Sequence, residues 1–421
     1  MPADPSTRTA PVLPRPRRDG ERPVRGRFAA ALASAAPALA AYAAVRAVGL
    51  AVLWAAAEAS GKDAAHVLAE RWDSVWYQRV AAHGYGYTVV LPDGGIHSDL
   101  AFFPLLPALE RGIAAVTPLG LAGAGLLVAW TAALAAAWAI HAVGARLAGR
   151  RAGVVLAALW GAGPTAFVQS MAYTETLFTA LAAWSLYAVL TRRWITAGVL
   201  CVLAGLTRPS AAALIAALVV TAVVALVRDH RVRSGDRPPA VTDDAPVRDH
   251  RSAGPDGLLR RNGRMLAGAA LAPLGWLAYV VFVAVREGDP FAYFDVQAQW
   301  GNSIDGGAAL AAFVLGLPWP ATLGLCAALA ALGWLVSLCV RQRQPLPVLV
   351  YTVAIVVVSL IGSGYFGSRP RLMMPAFPLF MPPALALLRL RSTARTAAAL
   401  AVIAAASAAY GAWTLLGSGP P

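Results

Sequence analysis

Between residues 29 and 416 the chain alternates long apolar runs with short polar breaks. Crossing about 30 Å of hydrocarbon takes roughly 20 apolar residues. Runs of that order fall at 29–57, 119–145, 152–168, 172–190, 194–207, 210–227, 265–286, 309–340, 346–362, 372–389 and 396–416. The pattern predicts an all-α polytopic transmembrane helical bundle of about nine to eleven spans. The first run exceeds the apolar part of a cleaved signal peptide, so it reads as the first membrane helix. Thr207, Arg208 and Pro209 break the run 194–227, which reads as a hairpin of two short helices. Pro318 and Pro320 suggest a short surface helix ahead of one span within 309–340.

Composition sharpens this reading. Of the 421 residues, 58% are hydrophobic and only 13% charged, more apolar than a soluble globular core requires. The net charge of +14 comes from arginines clustered between apolar runs, with no basic face interleaved with aromatics. That distribution is the positive-inside pattern and excludes a nucleic-acid reader. Arg146, Arg150 and Arg151, then Arg192 and Arg193, the stretch 228–264, Arg341 and Arg343, and Arg389, Arg391 and Arg395 are expected on the cytoplasmic side with the N-terminus.

Residues 1–28, rich in proline and arginine, read as a disordered basic cytoplasmic tail. The stretch 228–264 reads as a cytoplasmic linker within one transmembrane domain, 29–421. The outer loops are then 58–118, 169–176, 286–303 and 362–371, and chemistry is expected at the outer surface of the membrane. Cys201, Cys326 and Cys339 lie inside apolar runs without a CxxC or histidine partner, so they are expected to be buried packing residues.

The polar residues that cost most gather on that outer side. In "RWDSVWYQRVAAHGYGY" the carboxylate of Asp73 follows the first span among Trp72, Trp76 and Tyr77. A partly dehydrated carboxylate there suits a general base, and the same residues also read as an aromatic belt with one interfacial charge. "HSDLAFFPLLPALERG" sets His97 and Asp99 before a proline-broken run too short to span, expected to lie along the interface. Asp99 reads as a second acid, a ligand for a possible divalent metal, or a helix N-cap. Glu175 in "AYTETLF" opens a helix, where the dipole favours its charge. Arg208, Arg369 and Arg371 lie on the outer side against the orientation rule, which points to a phosphate partner or to lipid headgroups. Arg46, mid-span, must face the bundle interior, with a carboxylate such as Glu58 as one candidate partner.

There is no P-loop, HExxH, GxSxG or internal duplication, and no room for a soluble nucleotide-sugar fold. An activated sugar would have to arrive on a lipid. "RWDSVWYQRVAAHGYGY", "AFFPLLPAL", "AYTETLF", "LTRPSAAAL", "GDPFAYFDVQAQWG" and "SRPRLMMPAFPLF", in this order from residue 71 to 380, resemble the bacterial relatives of the PIG-V mannosyltransferases, of the GT-C type. The resemblance implies a multi-spanning α-helical enzyme with a polyprenyl-phosphate mannose donor and an acidic base in the first outer loop. Residue by residue, it implies Asp73 and Asp99 as the acidic pair and Arg208 as the arginine of the TRP motif. Arg369 and Arg371 lie where relatives have one basic residue; here the spacing departs from the family pattern.

The expectation is mannose transfer, with inversion, to a hydroxyl acceptor of a lipid, glycan or protein on the extracytoplasmic face of the cell membrane. Asp73 and Asp99 would be catalytic, Arg208, Arg369 and Arg371 would bind the donor phosphate, and Trp72, Tyr77, Glu175 and Trp300 would contact substrate. A transporter or flippase of lipid-linked sugars, or a ligase moving whole glycans, would share this membrane layout.

Overall fold

Runs this rich in alanine and leucine carry high helix propensity and leave no backbone polar group unpaired in an apolar medium. A computed structural model describes residues 24–92, 94–233, 255–364 and 366–417. Helix α1 (Val24–Ala59) leads into the first loop, which holds α2 (Ala64–Ala69), α3 (Asp73–His83), the antiparallel strands β1 (Thr88–Val90) and β2 (Ile96–Ser98), and α4 (Leu105–Val116). Then come α5 (Leu121–Ala148), α6 (Arg150–Gly161), α7 (Glu175–Leu190), α8 (Trp194–Gly205), α9 (Ala211–Arg233), α10 (Pro255–Leu271) and α11 (Leu274–Glu287). The chain closes with α12 (Ala292–Gln299), α13 (Ala308–Gly316), α14 (Trp319–Arg341), α15 (Leu346–Ile361), α16 (Arg369–Leu372), α17 (Met381–Leu388) and α18 (Thr393–Leu416). Residues 1–23, 234–254 and 418–421, with most of the expected tail and linker, lie outside the described residues.

The expected all-α bundle is present; among the described residues the β1–β2 hairpin is the one sheet. Among the described residues six helical stretches are long and apolar enough to cross a membrane, or seven with one bent pair counted as a span, and α7, α8 and α15 are shorter apolar helices. Proline chemistry explains two departures from the expected spans. The run 152–168 stops as a helix at Gly161, ahead of Pro164, and resumes as a 3₁₀ turn over Ala166–Ser170. The expected run 372–389 begins in a broken element, Phe366–Leu372 and Phe377–Leu388, bent by 77° with Pro375 in the break. The breaks expected at Thr207–Pro209 and at Pro318 are both found, the first between the end of α8 at Gly205 and the start of α9 at Ala211.

Helix α5 is the central column and packs on α1, α4, α6 and α7. Small residues let backbones close up where apolar surroundings supply no hydrophobic drive for helix pairing. At the parallel seam of α8 with α10 and α11, Gly198 and Gly205 face Gly268 and the Gly275–Trp276 backbone; a Cβ at Gly205 would sit 2.6 Å from the Trp276 amide nitrogen. Arg46 faces inward as expected, but its partners are the Ser170 hydroxyl (2.6 Å) and the Gly161 carbonyl (3.3 Å), not Glu58, which is exposed. Cys201 and Cys339 are buried, whereas Cys326 is exposed because α14 contributes little to the core.

Successive helices place their connections alternately at two ends of the bundle. One end holds Arg146, Arg150 and Arg151, Arg192 and Arg193, Arg341 and Arg343, and Arg389 and Arg391. Three of these arginines, Arg192, Arg343 and Arg391, adopt positive φ (59°, 52° and 52°) and terminate α7, α14 and α17 in the left-handed turn usually given to glycine. The first loop and the approaches to α7, α9 and α16 share the other end. There the last carbonyls of α18 are bound by basic side chains: Arg71 donates to Leu415 (2.6 Å) and Gly417 (3.1 Å), and Lys62 donates to Leu416. Cations complement a helix C-terminus, and the contact fastens the loop before Asp73 to the last helix.

Candidate active site

Four separate connections at that end converge on one charge cluster. Asp73 is the first residue of α3 and sits on the positive end of its dipole. The residue before it, Trp72, is held at φ 53°, ψ −121°, a conformation costly for a side chain of this size, with the Arg71 guanidinium 3.9 Å from its ring centroid. The Asp73 amide donates to the Tyr173 hydroxyl (3.2 Å). Glu175 opens α7, with Thr174 as its cap residue. Arg208 sits in the turn that Pro209 imposes between α8 and α9, and Arg371 lies on the short α16 ahead of the Pro375 break.

The cluster is continuous. Arg371 Nη2 lies 2.8 Å from Asp73 Oδ2, and its Nε lies 3.3 Å from Glu175 Oε1. Arg208 Nη1 pairs with the same Glu175 oxygen at 2.5 Å and donates to the Thr174 hydroxyl at 3.2 Å. That hydroxyl in turn shares a 3.1 Å hydrogen bond with Tyr77. Side-chain exposure grades outward, with Glu175 at 1%, Arg208 at 10%, Arg371 at 11% and Asp73 at 26%. Asp73 is therefore the acid that a reactant can reach. Burial raises the Tyr77 phenol above its ordinary range, against the opposing pull of Arg208, so it is a neutral hydroxyl.

The remaining candidates stand apart from this cluster. The Asp99 carboxylate is fully buried and accepts from the backbone amides of Gly86 (3.0 and 3.1 Å) and Tyr87 (2.9 Å), which ties the hairpin to the turn before α4. The N-cap of that turn is Ser98, whose hydroxyl accepts from Leu100 (3.2 Å). Of the two neighbouring arginines, only Arg371 enters the cluster. Arg369 donates to the carbonyls of Leu360 (2.6 Å) and Gly362 (2.5 Å), satisfying the end of α15. Trp300 stacks on His97 at 4.1 Å, meets Trp76 at 4.9 Å and Phe102 at 5.2 Å, and donates to the Ser98 carbonyl (2.9 Å). Its ring is thus engaged within an aromatic group that reaches the cluster through the Tyr77–Phe102 contact.

Tyr173 and Thr174 escaped the sequence reading. The Arg371 guanidinium lies 5.1 Å from the Tyr173 ring centroid, and Thr174 links Arg208 to Tyr77. Their one sequence signal was adjacency to Glu175. Among the described residues no group of three His, Cys, Asp or Glu side chains is arranged to hold a metal ion.

No protein-family model matches the sequence, and no curated protein does. Among solved structures the fold is similar to that of ArnT from Cupriavidus metallidurans bound to undecaprenyl phosphate, with a TM-score of 0.51 and 15% identity over 86% of this chain and 63% of that one. The chain thus spans a little less than two thirds of ArnT's length. A weaker likeness is to the archaeal oligosaccharyltransferase AglB from Archaeoglobus fulgidus in complex with an inhibitory peptide and a dolichol-phosphate, with a TM-score of 0.43 and 15% identity over 89% of this chain and 56% of that one. The bundle shares its helical fold with ArnT.

Proposed function

We propose that the protein is a membrane glycosyltransferase that moves a sugar from a polyprenyl-phosphate carrier to a hydroxyl acceptor, with Asp73 as general base. The observation that carries this reading is the pairing of the accessible Asp73 carboxylate with Arg371, while Arg208 lies just behind across Glu175. A base and two guanidiniums within one charge cluster match the two needs of such a transfer: removal of a proton from the nucleophile and stabilisation of a leaving phosphate. The GT-C-like fold, seen also in ArnT with undecaprenyl phosphate bound, supports a polyprenyl carrier.

The acceptor oxygen attacks the anomeric carbon from the face opposite the phosphate. Its proton passes to Asp73, the bond from carbon to phosphate oxygen breaks, and the configuration inverts. Charge develops on the departing phosphate oxygens, where Arg208 and Arg371 offer charge-assisted donors in a largely buried setting. Trp72, half-buried beside the base at the start of α3, lines the sugar's approach, and Tyr77 backs the site from within, hydrogen-bonded to the Thr174 hydroxyl. We assign Asp99 and Arg369 to holding the first loop and the approach to α16 in place, because their polar atoms are engaged by backbone groups. The sequence resemblance favours mannose as the sugar. The arginine clusters at the opposite end favour a cytoplasmic N-terminus and an extracytoplasmic site.

Membranes carrying the wild-type protein or its Asp73→Asn variant, incubated with labelled polyprenyl-phosphate mannose, test this reading. Label should enter a lipid, glycan or protein fraction with the wild type, at a rate about 10²–10⁴ times that of the variant. Equal transfer by both would remove Asp73 from the mechanism.

A further inference from the structure

The charges of the cluster sum to zero: Asp73 and Glu175 are balanced by Arg208 and Arg371. Their distribution is uneven. A single oxygen of Glu175, Oε1, lies at ion-pair distance from both guanidiniums, whereas Oε2, equally buried, enters no ion pair among the described residues. Glu175 thus sits against the guanidinium nitrogens that a phosphate would need, since carboxylate and phosphate oxygens pair with the same guanidinium fork.

The charge carried by the phosphate changes through the reaction. A sugar-linked polyprenyl phosphate is a diester with one negative charge. The released polyprenyl phosphate is a monoester with about 1.5 to 2. Asp73 has meanwhile taken up the acceptor proton and lost its hold on Arg371. Both changes favour the product, so two free guanidiniums would retain it.

We infer that Glu175 is a positioning residue that holds Arg208 and Arg371 as a resident stand-in for the phosphate, and that it expels the polyprenyl phosphate product by reclaiming them after transfer. The inference rests on the phosphate-site reading above. Glu175 is suited to this because its backbone belongs to the first turn of α7, where its carbonyl accepts from the Thr179 hydroxyl (2.7 Å), so the acid stays beside the site. Arg208 keeps a second partner in the Thr174 hydroxyl when the carboxylate is displaced. With Glu175 only 1% exposed, like-charge repulsion between carboxylate and phosphate is screened far less than in water.

The test is equilibrium binding of farnesyl phosphate and longer polyprenyl phosphates to the purified full-length chain, read by tryptophan fluorescence, together with product inhibition of transfer. Glu175→Gln keeps the shape and removes the charge. It should bind polyprenyl phosphate at least about tenfold more tightly than the wild type, while its kcat falls and donor KM changes less. Glu175→Asp draws the carboxylate back by one methylene and should fall between the two; it decides the matter if the glutamine variant does not fold. Binding by both folded variants that is equal to or weaker than wild type overturns the proposal. Wild-type protein that binds no polyprenyl phosphate overturns the phosphate site itself, and this inference with it.

Discussion

Replacing Glu110 by glutamine isolates a single titration in the fold. Glu110 lies on α4, fully buried, and neither carboxyl oxygen has a hydrogen-bond partner among the described residues. It fits because residue 125 is glycine: a Cβ there would come within 2.6 Å of Glu110 Oε1 and 3.0 Å of the Ala172 methyl. Burial raises this carboxyl from an ordinary 4.5 to about 8. The sign follows from linkage. The unfolded chain releases the proton near 4.5 and the folded chain only near 8, so this group's contribution to stability is complete below 4.5 and is lost as pH rises through 8.

At about 1.36 kcal/mol per pH unit, the loss amounts to roughly 4 kcal/mol between pH 5 and pH 9. Glutamine does not titrate. Its buried amide costs about 1–3 kcal/mol, but equally at every pH. Thermal unfolding in detergent, followed by tryptophan fluorescence from pH 5 to pH 9, should show the wild type losing stability relative to Glu110→Gln by about that amount, while titrations common to both cancel in the difference. Parallel stability curves for the two proteins would refute the assignment.

Two further outcomes follow from the packing. Arg369→Gln removes two charge-assisted hydrogen bonds to the carbonyls ending α15, each worth about 1.5–3 kcal/mol. Its melting temperature should fall, while the folded fraction loses less polyprenyl phosphate affinity than Arg371→Gln; a variant as stable as wild type rules out the capping role. Gly205→Leu pushes a side chain into the Trp276 backbone and should destabilise the protein by at least about 1–3 kcal/mol, with a smaller effect for Gly205→Ala. An unchanged melting temperature would mean that the α8 seam can open without cost.

The helical bundle was legible in the chain because apolar run length and helix propensity are local properties. So was the break at Thr207–Pro209, which proline imposes directly. The prolines after residues 161 and 372 carried the same information, but apolarity alone made both runs look like complete spans. The aromatic setting of Asp73 and the placement of Arg208 at the same end of the bundle could be read in the same way, one loop at a time.

Pairing could not. Nothing local distinguishes Arg369 from Arg371, two residues apart on one short helix; the helix turn aims one at the end of α15 and the other at Asp73 and Glu175. Asp99 and Asp73 share a loop and an acidic side chain, yet backbone amides of the hairpin engage the first and a guanidinium the second. Run length and residue type settle which stretches become helices and which end of the bundle collects polar groups, since both depend on nearest neighbours and on transfer out of water. Which acid meets which arginine depends on how four distant connections pack, and that is decided only when the whole bundle closes.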